Sequence, residues 1–172
     1  MIYLLDTSAI LAHFLKEPGH WQVQELFEDH TASILLATIS LLELDSVLRS
    51  GIHDDGRRRD MVDLYGGRLA EVVPVDRMAV MKAISLRNAS TRRIPAMDAL
   101  VAGCASACSA TLVHRDPHFD AIPSERLAVL RLTDGPEPAP AQEAPPSVKE
   151  HRGSYVTRKR TRHHTTARKQ TK

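Results

Sequence analysis

Short apolar segments alternate along the chain with longer segments of helical period. The strands are predicted at residues 2–5, 34–38, 72–75, 111–114 and 127–132, and the helices at residues 8–16, 20–30, 40–49, 54–65, 76–88 and 96–107. Gly66 and Gly67 are expected to end the fourth helix. Such alternation is typical of βαβ units, in which a helix connects one strand to the next parallel strand. The predicted fold class is therefore α/β, with a central, mostly parallel sheet.

The composition changes after residue 133. Residues 134–150 hold five of the ten prolines and few large apolar side chains, which predicts a Pro/Ala-rich linker. Residues 151–172 concentrate basic side chains among Thr and Ser, and like charges at this density favour a disordered C-terminal extension. We therefore expect one folded domain at residues 1–133, the linker at residues 134–150 and a basic disordered tail at residues 151–172.

The charge is divided unevenly between the domain and the tail. The 23 Lys and Arg residues and 21 Asp and Glu residues give a net charge of +2. Residues 1–135 carry 14 basic and 18 acidic side chains, whereas residues 136–172 carry nine basic and three acidic ones. Because an acidic domain repels nucleic acid, contacts with phosphates are expected from local basic groups or from the tail.

Several classes of protein are excluded by what the sequence lacks. No apolar run approaches the roughly 20 residues that a membrane span needs. The N-terminal segment has no basic region, and Asp6 interrupts its apolar run, so we do not expect a secretory signal. We therefore expect a cytoplasmic location. The two cysteines, Cys104 and Cys108, are too few for a disulfide framework or a structural zinc site, and they are expected to pack within a small-residue helix.

Four acidic residues each have an ordinary local explanation. Asp6 follows the first predicted strand, where it is expected to cap a helix. Ser40 and Glu43 have the spacing of a capping box. Asp98 falls in the first turn of a helix, where a carboxylate interacts favourably with the helix dipole, and Asp116 precedes a proline in a turn.

Taken together, the same four acids predict a metal site. The carboxyl ends of parallel strands and the starts of the following helices lie at one edge of the sheet, where open α/β sheets bind ligands. Four carboxylates at this edge would repel one another unless a cation neutralised them. Mg²⁺, or Mn²⁺ as a second possibility, prefers such oxygen ligands. The sequence holds no glycine-rich phosphate loop, so a nucleotide site is not expected.

Four segments that contain these acids occur in a fixed order. They are LLDTS at residues 4–8, SLLE at residues 40–43, IPAMDALVA at residues 94–102 and LVHRDPHFD at residues 112–120. The ordered set resembles the four signature regions of PIN-domain ribonucleases, and most closely those of the VapC toxins of bacterial toxin–antitoxin pairs. The resemblance covers residues 1 to about 132 and implies a PIN-like, three-layer α/β/α fold.

The resemblance also implies a chemistry, that of a metal-dependent endoribonuclease that hydrolyses phosphodiester bonds and leaves a 5′ phosphate. Its catalytic acids correspond here to Asp6, Glu43, Asp98 and Asp116. The three aspartates are expected to coordinate the metal, and Glu43 to coordinate it or to orient the attacking water. A hydroxyl close to the first acid, here Thr7 or Ser8, is expected to help hold the metal shell.

The fourth segment departs from the family pattern. Relatives often carry an Asp immediately before the phenylalanine, where this chain has His118, and Asp120 lies one place beyond that phenylalanine. We favour Asp116 over Asp120 as a metal ligand because Asp116 is fixed at the end of a strand. His118 is expected at the rim of the site, on the substrate side.

The expected substrate is a structured RNA such as tRNA or rRNA. Arg93 and Arg115 flank predicted metal residues and are candidate contacts to RNA phosphates, whereas residues 57–59 are at least as well explained by a solvated helix face. Only seven aromatic residues occur, without a cluster that predicts a base-stacking platform, which favours recognition by shape. The resemblance implies a cognate antitoxin and a homodimer as protein partners.

Two other functions remain open at this stage. A non-catalytic nucleic-acid-binding module would bind RNA through the basic tail and would need no divalent metal. A phosphatase of the haloacid-dehalogenase type also places an Asp after its first strand, but a second Asp normally follows two residues later, where this chain has Ser8. Metal dependence distinguishes the nuclease from the binding module, and a phosphomonoester substrate distinguishes the phosphatase from both.

Overall fold

The structure is a computed structural model of the 172-residue chain and describes residues 1–135; the predicted tail and the linker from residue 136 lie outside the described residues. The strands are β1 (Ile2–Leu5), β2 (Ser33–Ala37), β3 (Glu71–Val73), β4 (Thr111–His114) and β5 (Val129–Arg131). The α-helices are α1 (Thr7–Leu15), α2 (His20–Glu28), α3 (Thr38–Leu48), α4 (Asp55–Asp63), α5 (Arg77–Ala89) and α6 (Ala96–Ala107). A π-helical segment spans Leu64–Leu69 and a 3₁₀ segment spans Pro117–Ala121. None of these helices is long and apolar enough to cross a bilayer.

The five strands form one parallel sheet in the order β3-β2-β1-β4-β5. The chain builds outward from β1 through β2 to β3 and then returns to the other side of β1 with β4. This reversal of direction makes the carboxyl ends of β1 and β4 the topological switch point, where sheets of this type bind ligands. The predicted α/β class is confirmed, and the sheet is entirely parallel.

Apolar side chains cover both faces of the sheet, as expected for parallel strands. Because neighbouring residues of a strand point to opposite faces, Leu4 packs in one core and Leu5 in the other. The core around Leu4 includes Leu86 of α5 and Val101 of α6, whereas the core around Leu5 includes Ile10 of α1. The sheet therefore lies between two helical layers, which confirms the three-layer α/β/α prediction.

Helices α5 and α6 approach each other closely at Gly103. A Cβ atom at this position would lie 2.2 Å from the backbone oxygen of Ala79 and 2.9 Å from the Cβ of Ala83. The small residues of α6 thus allow the helices to pack backbone against backbone. Cys104 is buried next to Gly103 and Cys108 is partly buried, and both are free thiols, consistent with the packing role predicted for them.

Two local predictions are wrong. Helix α3 begins at Thr38, two residues earlier than predicted, and its N-cap is Ala37, which offers no side-chain acceptor. The capping box of Ser40 and Glu43 is therefore absent, since both residues lie inside the helix. Gly66 and Gly67 do not end helical structure, because the π-helical segment continues through them.

Replacing Gly103 with alanine is expected to destabilise the domain by about 1–3 kcal/mol, since the added methyl group must displace the carbonyl of Ala79. Urea unfolding measures the change. Gly51→Ala is the matched control, because nothing lies within 4 Å of a Cβ built at Gly51. Equal unfolding midpoints for the two variants would contradict the close packing of α5 on α6.

Candidate metal centre

Asp6 and Asp116 lie at the same edge of the sheet because they follow adjacent parallel strands. The backbone N–H of Asp6 donates to the carbonyl of Val113 at 2.9 Å, which extends the β1–β4 ladder to the first acid. Asp6 caps α1, as predicted, and accepts from the backbone N–H of Ser8 at 2.9 Å. Asp116 caps the 3₁₀ segment by accepting from the N–H of His118 at 2.8 Å.

Asp98 completes a cluster with Asp116 and His118. It lies in the first turn of α6, where the helix begins at the carboxyl edge of the sheet. The Nδ1 atom of His118 is 2.9 Å from Oδ1 of Asp116 and 3.3 Å from Oδ2 of Asp98. One ligand atom from each of the three residues lies within 4.8 Å of the other two. The His118 ring is therefore in direct contact with the carboxylates of Asp98 and Asp116.

Glu43 reaches the site through Thr7. The hydroxyl of Thr7, in the first turn of α1, donates to Oε2 of Glu43 at 2.7 Å. Thr7 is buried, so this hydrogen bond fixes the position of the Glu43 carboxylate at the start of α1. Because α3 starts early, Glu43 falls in its second turn and turns to the site instead of capping its own helix.

The electrostatics of the site show that its carboxylates interact. Asp6 is only 6% exposed, and burial raises its pKa from 3.8 to about 6; hydrogen bonds from Ser8 oppose this rise, and the charges of Glu43 and Asp98 add to it. Burial also raises the pKa of Asp98, with a further contribution from Asp116. The neighbouring His118 opposes the rise at Asp98, and the negative charge that remains in the site favours a bound cation.

Ser8 connects the two strand ends. Its hydroxyl donates to Oδ2 of Asp6 at 2.5 Å and accepts from the backbone N–H of Arg115 at 3.0 Å. The guanidinium of Arg115 is 2.6 Å from Glu17 and 3.2 Å from Asp134. The backbone of Arg115 therefore supports the site, whereas its side chain is paired with two carboxylates outside the cluster.

Neither Asp120 nor Arg93 belongs to the group of Asp98, Asp116 and His118. Arg131 binds Asp120 at 2.5 Å, so the Asp120 carboxylate is paired outside the group that Asp98, Asp116 and His118 form. Arg93 is exposed in the loop that precedes α6 and Asp98.

Sequence reasoning missed His114, the last residue of β4. Its ring is fully buried against Phe119, with ring centroids 5.1 Å apart. Nδ1 lies 2.8 Å from the carbonyl oxygen of Asp116, and since a carbonyl only accepts, Nδ1 carries the proton. Burial lowers the pKa of His114, which keeps the ring neutral. A histidine that ends an otherwise apolar strand was the available signal, and it indicates a buried support for the turn at Asp116.

An entirely parallel sheet with acids gathered at its switch point defines this protein as an α/β domain with an acidic site of the kind that binds divalent metals. The comparison with protein families is more specific: the model of the PIN domain matches residues 3–125. The chain therefore belongs to the PIN-domain family, as its four signature segments predicted.

Solved structures share the fold. VapBC2 from Rickettsia felis, bound to a DNA fragment from its promoter, matches with a TM-score of 0.62 and 23% identity over 77% of this chain and 100% of that chain. DNA-bound VapBC from Salmonella typhimurium has a TM-score of 0.61 and 20% identity, and the match covers 77% of this chain and 99% of that chain. VapBC-5 from Mycobacterium tuberculosis has a TM-score of 0.56 and 20% identity, and the match covers 76% of this chain and 98% of that chain. No curated protein matches the chain.

Asp6→Asn is expected to stabilise the metal-free protein at pH 7. The native pKa of Asp6, about 6, lies above its ordinary value of 3.8, so the native state binds the proton more tightly than the unfolded state. The stabilisation that proton binding at Asp6 gives the native state is complete below pH 3.8 and is lost as the pH rises through about 6. The variant should thus match the wild type near pH 4 and exceed its stability by about 3 kcal/mol at pH 7.

Urea unfolding in EDTA across this pH range measures the difference. Asp120→Asn is the matched control, because it removes a carboxylate from a partly exposed ion pair and should change stability by no more than about 1 kcal/mol. If the difference in free energy of unfolding between Asp6→Asn and the wild type did not vary with pH, the raised pKa of Asp6 would be contradicted.

Proposed function

We propose that this chain is a cytoplasmic, metal-dependent endoribonuclease that acts as the toxin of a toxin–antitoxin pair. The observation that carries the proposal is the convergence of Asp6, Glu43, Asp98 and Asp116 at the switch point of a PIN-family sheet. Local capping needs do not explain why carboxylates from four separate segments meet there, or why the buried Asp6 forms no ion pair with any residue of 1–135. A structured RNA such as tRNA or rRNA is the proposed substrate.

The donor set fits a hard divalent cation. The described residues of the site offer carboxylate oxygens, which Mg²⁺ and Mn²⁺ prefer, together with one imidazole nitrogen from His118 and no thiolate. We assign Asp6, Asp98 and Asp116 to metal coordination. When bound, the ion polarises a phosphoryl oxygen and lowers the pKa of water towards neutrality.

The remaining groups position these acids and the nucleophile. Ser8 orients Asp6, and Thr7 holds one oxygen of Glu43, which leaves the other oxygen to orient the attacking water. His118 is half exposed at the rim, so its ring can leave the carboxylates and contact the substrate. The resemblance to PIN-domain ribonucleases implies that this hydrolysis leaves a 5′ phosphate on the RNA.

The proposed protein partners are a cognate antitoxin and a second copy of this chain. The similar structures named above are toxin–antitoxin complexes, two of them bound to DNA. For the homodimer, α5 offers an exposed apolar face formed by Met78, Met81 and Ile84, which are 56%, 52% and 49% exposed. A self-complementary contact through this face would bury these side chains.

Cleavage of total bacterial RNA tests the proposal. Protein freed of any bound partner is incubated with the RNA in Mg²⁺, Mn²⁺ or EDTA, and the new 5′ ends are mapped. We expect discrete cuts that EDTA abolishes and that Asp98→Asn reduces by at least about 100-fold, since even groups that only orient metal ligands are worth 10- to 100-fold.

Asp120→Asn serves as the control, because the carboxylate of Asp120 is paired with Arg131 away from the cluster. It should cut at the same sites with nearly wild-type efficiency. Retention of RNA without cleavage would replace the proposal with a binding module. Release of phosphate from phosphomonoesters, with RNA left intact, would replace it with a phosphatase.

A further inference from the structure

The end of α5 and the loop that leads to α6 line an open basic cavity of about 340 Å³. It is lined by Arg87, Asn88, Ser90, Thr91, Arg92 and Arg93. Within residues 1–135, none of its three arginines forms an ion pair with a carboxylate; other exposed arginines, such as Arg57 and Arg59, are also unpaired, but these three line one cavity. The positive charge of the cavity is therefore uncompensated by the protein that surrounds it.

Two hydrogen bonds hold this loop in place, one to α5 and one to the 3₁₀ segment that follows Asp116. Nε of Arg87 donates to the carbonyl of Ile94 at 2.8 Å, just before α6 and its Asp98. The backbone N–H of Thr91 donates to the carbonyl of Ala121 at 3.0 Å, at the end of the 3₁₀ segment that begins after Asp116. The loop is thus bonded to the segment that Asp116 caps, and it leads directly into α6, the helix that carries Asp98.

Some polar side chains of the cavity bond to the backbone, whereas two of its arginines are exposed and bond to no other described residue. The hydroxyls of Ser90 and Thr91 donate to the carbonyls of Leu86 and Ala121. Arg92 and Arg93 are exposed, and no other side chain or carbonyl among the described residues accepts from them. Guanidinium groups bind phosphate oxygens through two parallel hydrogen bonds, so an anion of this geometry is the ligand that the cavity fits.

We propose that this cavity is a phosphate subsite, in which Arg92 and Arg93 hold the RNA backbone next to the cleavage site. The inference rests on the proposed nuclease function and deepens it. Residues 1–135 carry more acidic than basic side chains, and the metal centre itself repels RNA. An uncompensated basic cavity beside the acids offsets that repulsion and fixes the path of the strand.

Binding of RNA to the double variant Arg92→Ala/Arg93→Ala tests the subsite. All proteins carry Asp98→Asn so that binding is measured without cleavage, and the probe is fluorescently labelled bulk bacterial tRNA. We expect the Kd to rise about tenfold, and the slope of log K against log salt to become shallower by about 1 to 2, as expected when two phosphate contacts are lost.

Two further double variants make the test specific. Arg57→Ala/Arg59→Ala removes the same charge from exposed positions of α4 and should leave the Kd within about twofold of its reference. Arg92→Lys/Arg93→Lys keeps the charge but loses the planar fork, so it should preserve the salt slope and give an intermediate Kd. Arg87 is left intact because it supports the loop.

The outcomes separate the subsite from the nuclease itself. If the wild type cleaves RNA and the loop variant binds tRNA with an unchanged Kd and salt slope, the subsite is wrong and the nuclease stands. If the α4 control weakens binding as much as the loop variant, the effect is one of net charge and the subsite is again wrong. If the loop variant weakens binding but the wild type cleaves no RNA, the nuclease is wrong, and with it the role of the loop beside a cleavage site.

Discussion

The parallel pairing of β1 with β4 is the interaction on which the rest of the structure depends. It joins the β1-β2-β3 side of the sheet to β5, and its last hydrogen bond runs from Asp6 to Val113. The same ladder therefore builds the sheet and brings the ends of two strands together. Because an acid follows each of these strand ends, the backbone positions Asp6 and Asp116 before any side chain contributes.

Those parts of the molecule that depend on local pattern could be predicted from the sequence. The apolar runs gave the strands, and the position of Asp6 after a strand gave both its capping role and its place at the sheet edge. What depends on tertiary partners could not be predicted. The direction of Glu43 follows from the early start of α3 and from Thr7, and the pairing of Arg115 follows from Glu17, which is distant in sequence. No period in the sequence encodes such contacts.

Hydroxyl groups, not cations, orient two carboxylates of the site, those of Asp6 and Glu43. Thr7 and Ser8 fix Glu43 and Asp6 by hydrogen bonds that leave their negative charges intact. An arginine in either place would orient the acids equally well and would also neutralise them. The side chain of Arg115, which follows directly on β4, is instead paired with Glu17 and Asp134. The arrangement preserves the negative potential that a metal centre requires.

The burial of Asp6 has an evolutionary consequence. A carboxylate whose pKa is raised to about 6 opposes folding at neutral pH, so substitutions that remove its charge relieve the domain while they disable the site. Under relaxed selection, such substitutions would accumulate and give more stable, inactive proteins that keep the sheet and lack this aspartate. An aspartate at this position is therefore explained by its cap on α1 and by the proposed metal site, since its buried charge lowers the stability of the metal-free domain at neutral pH.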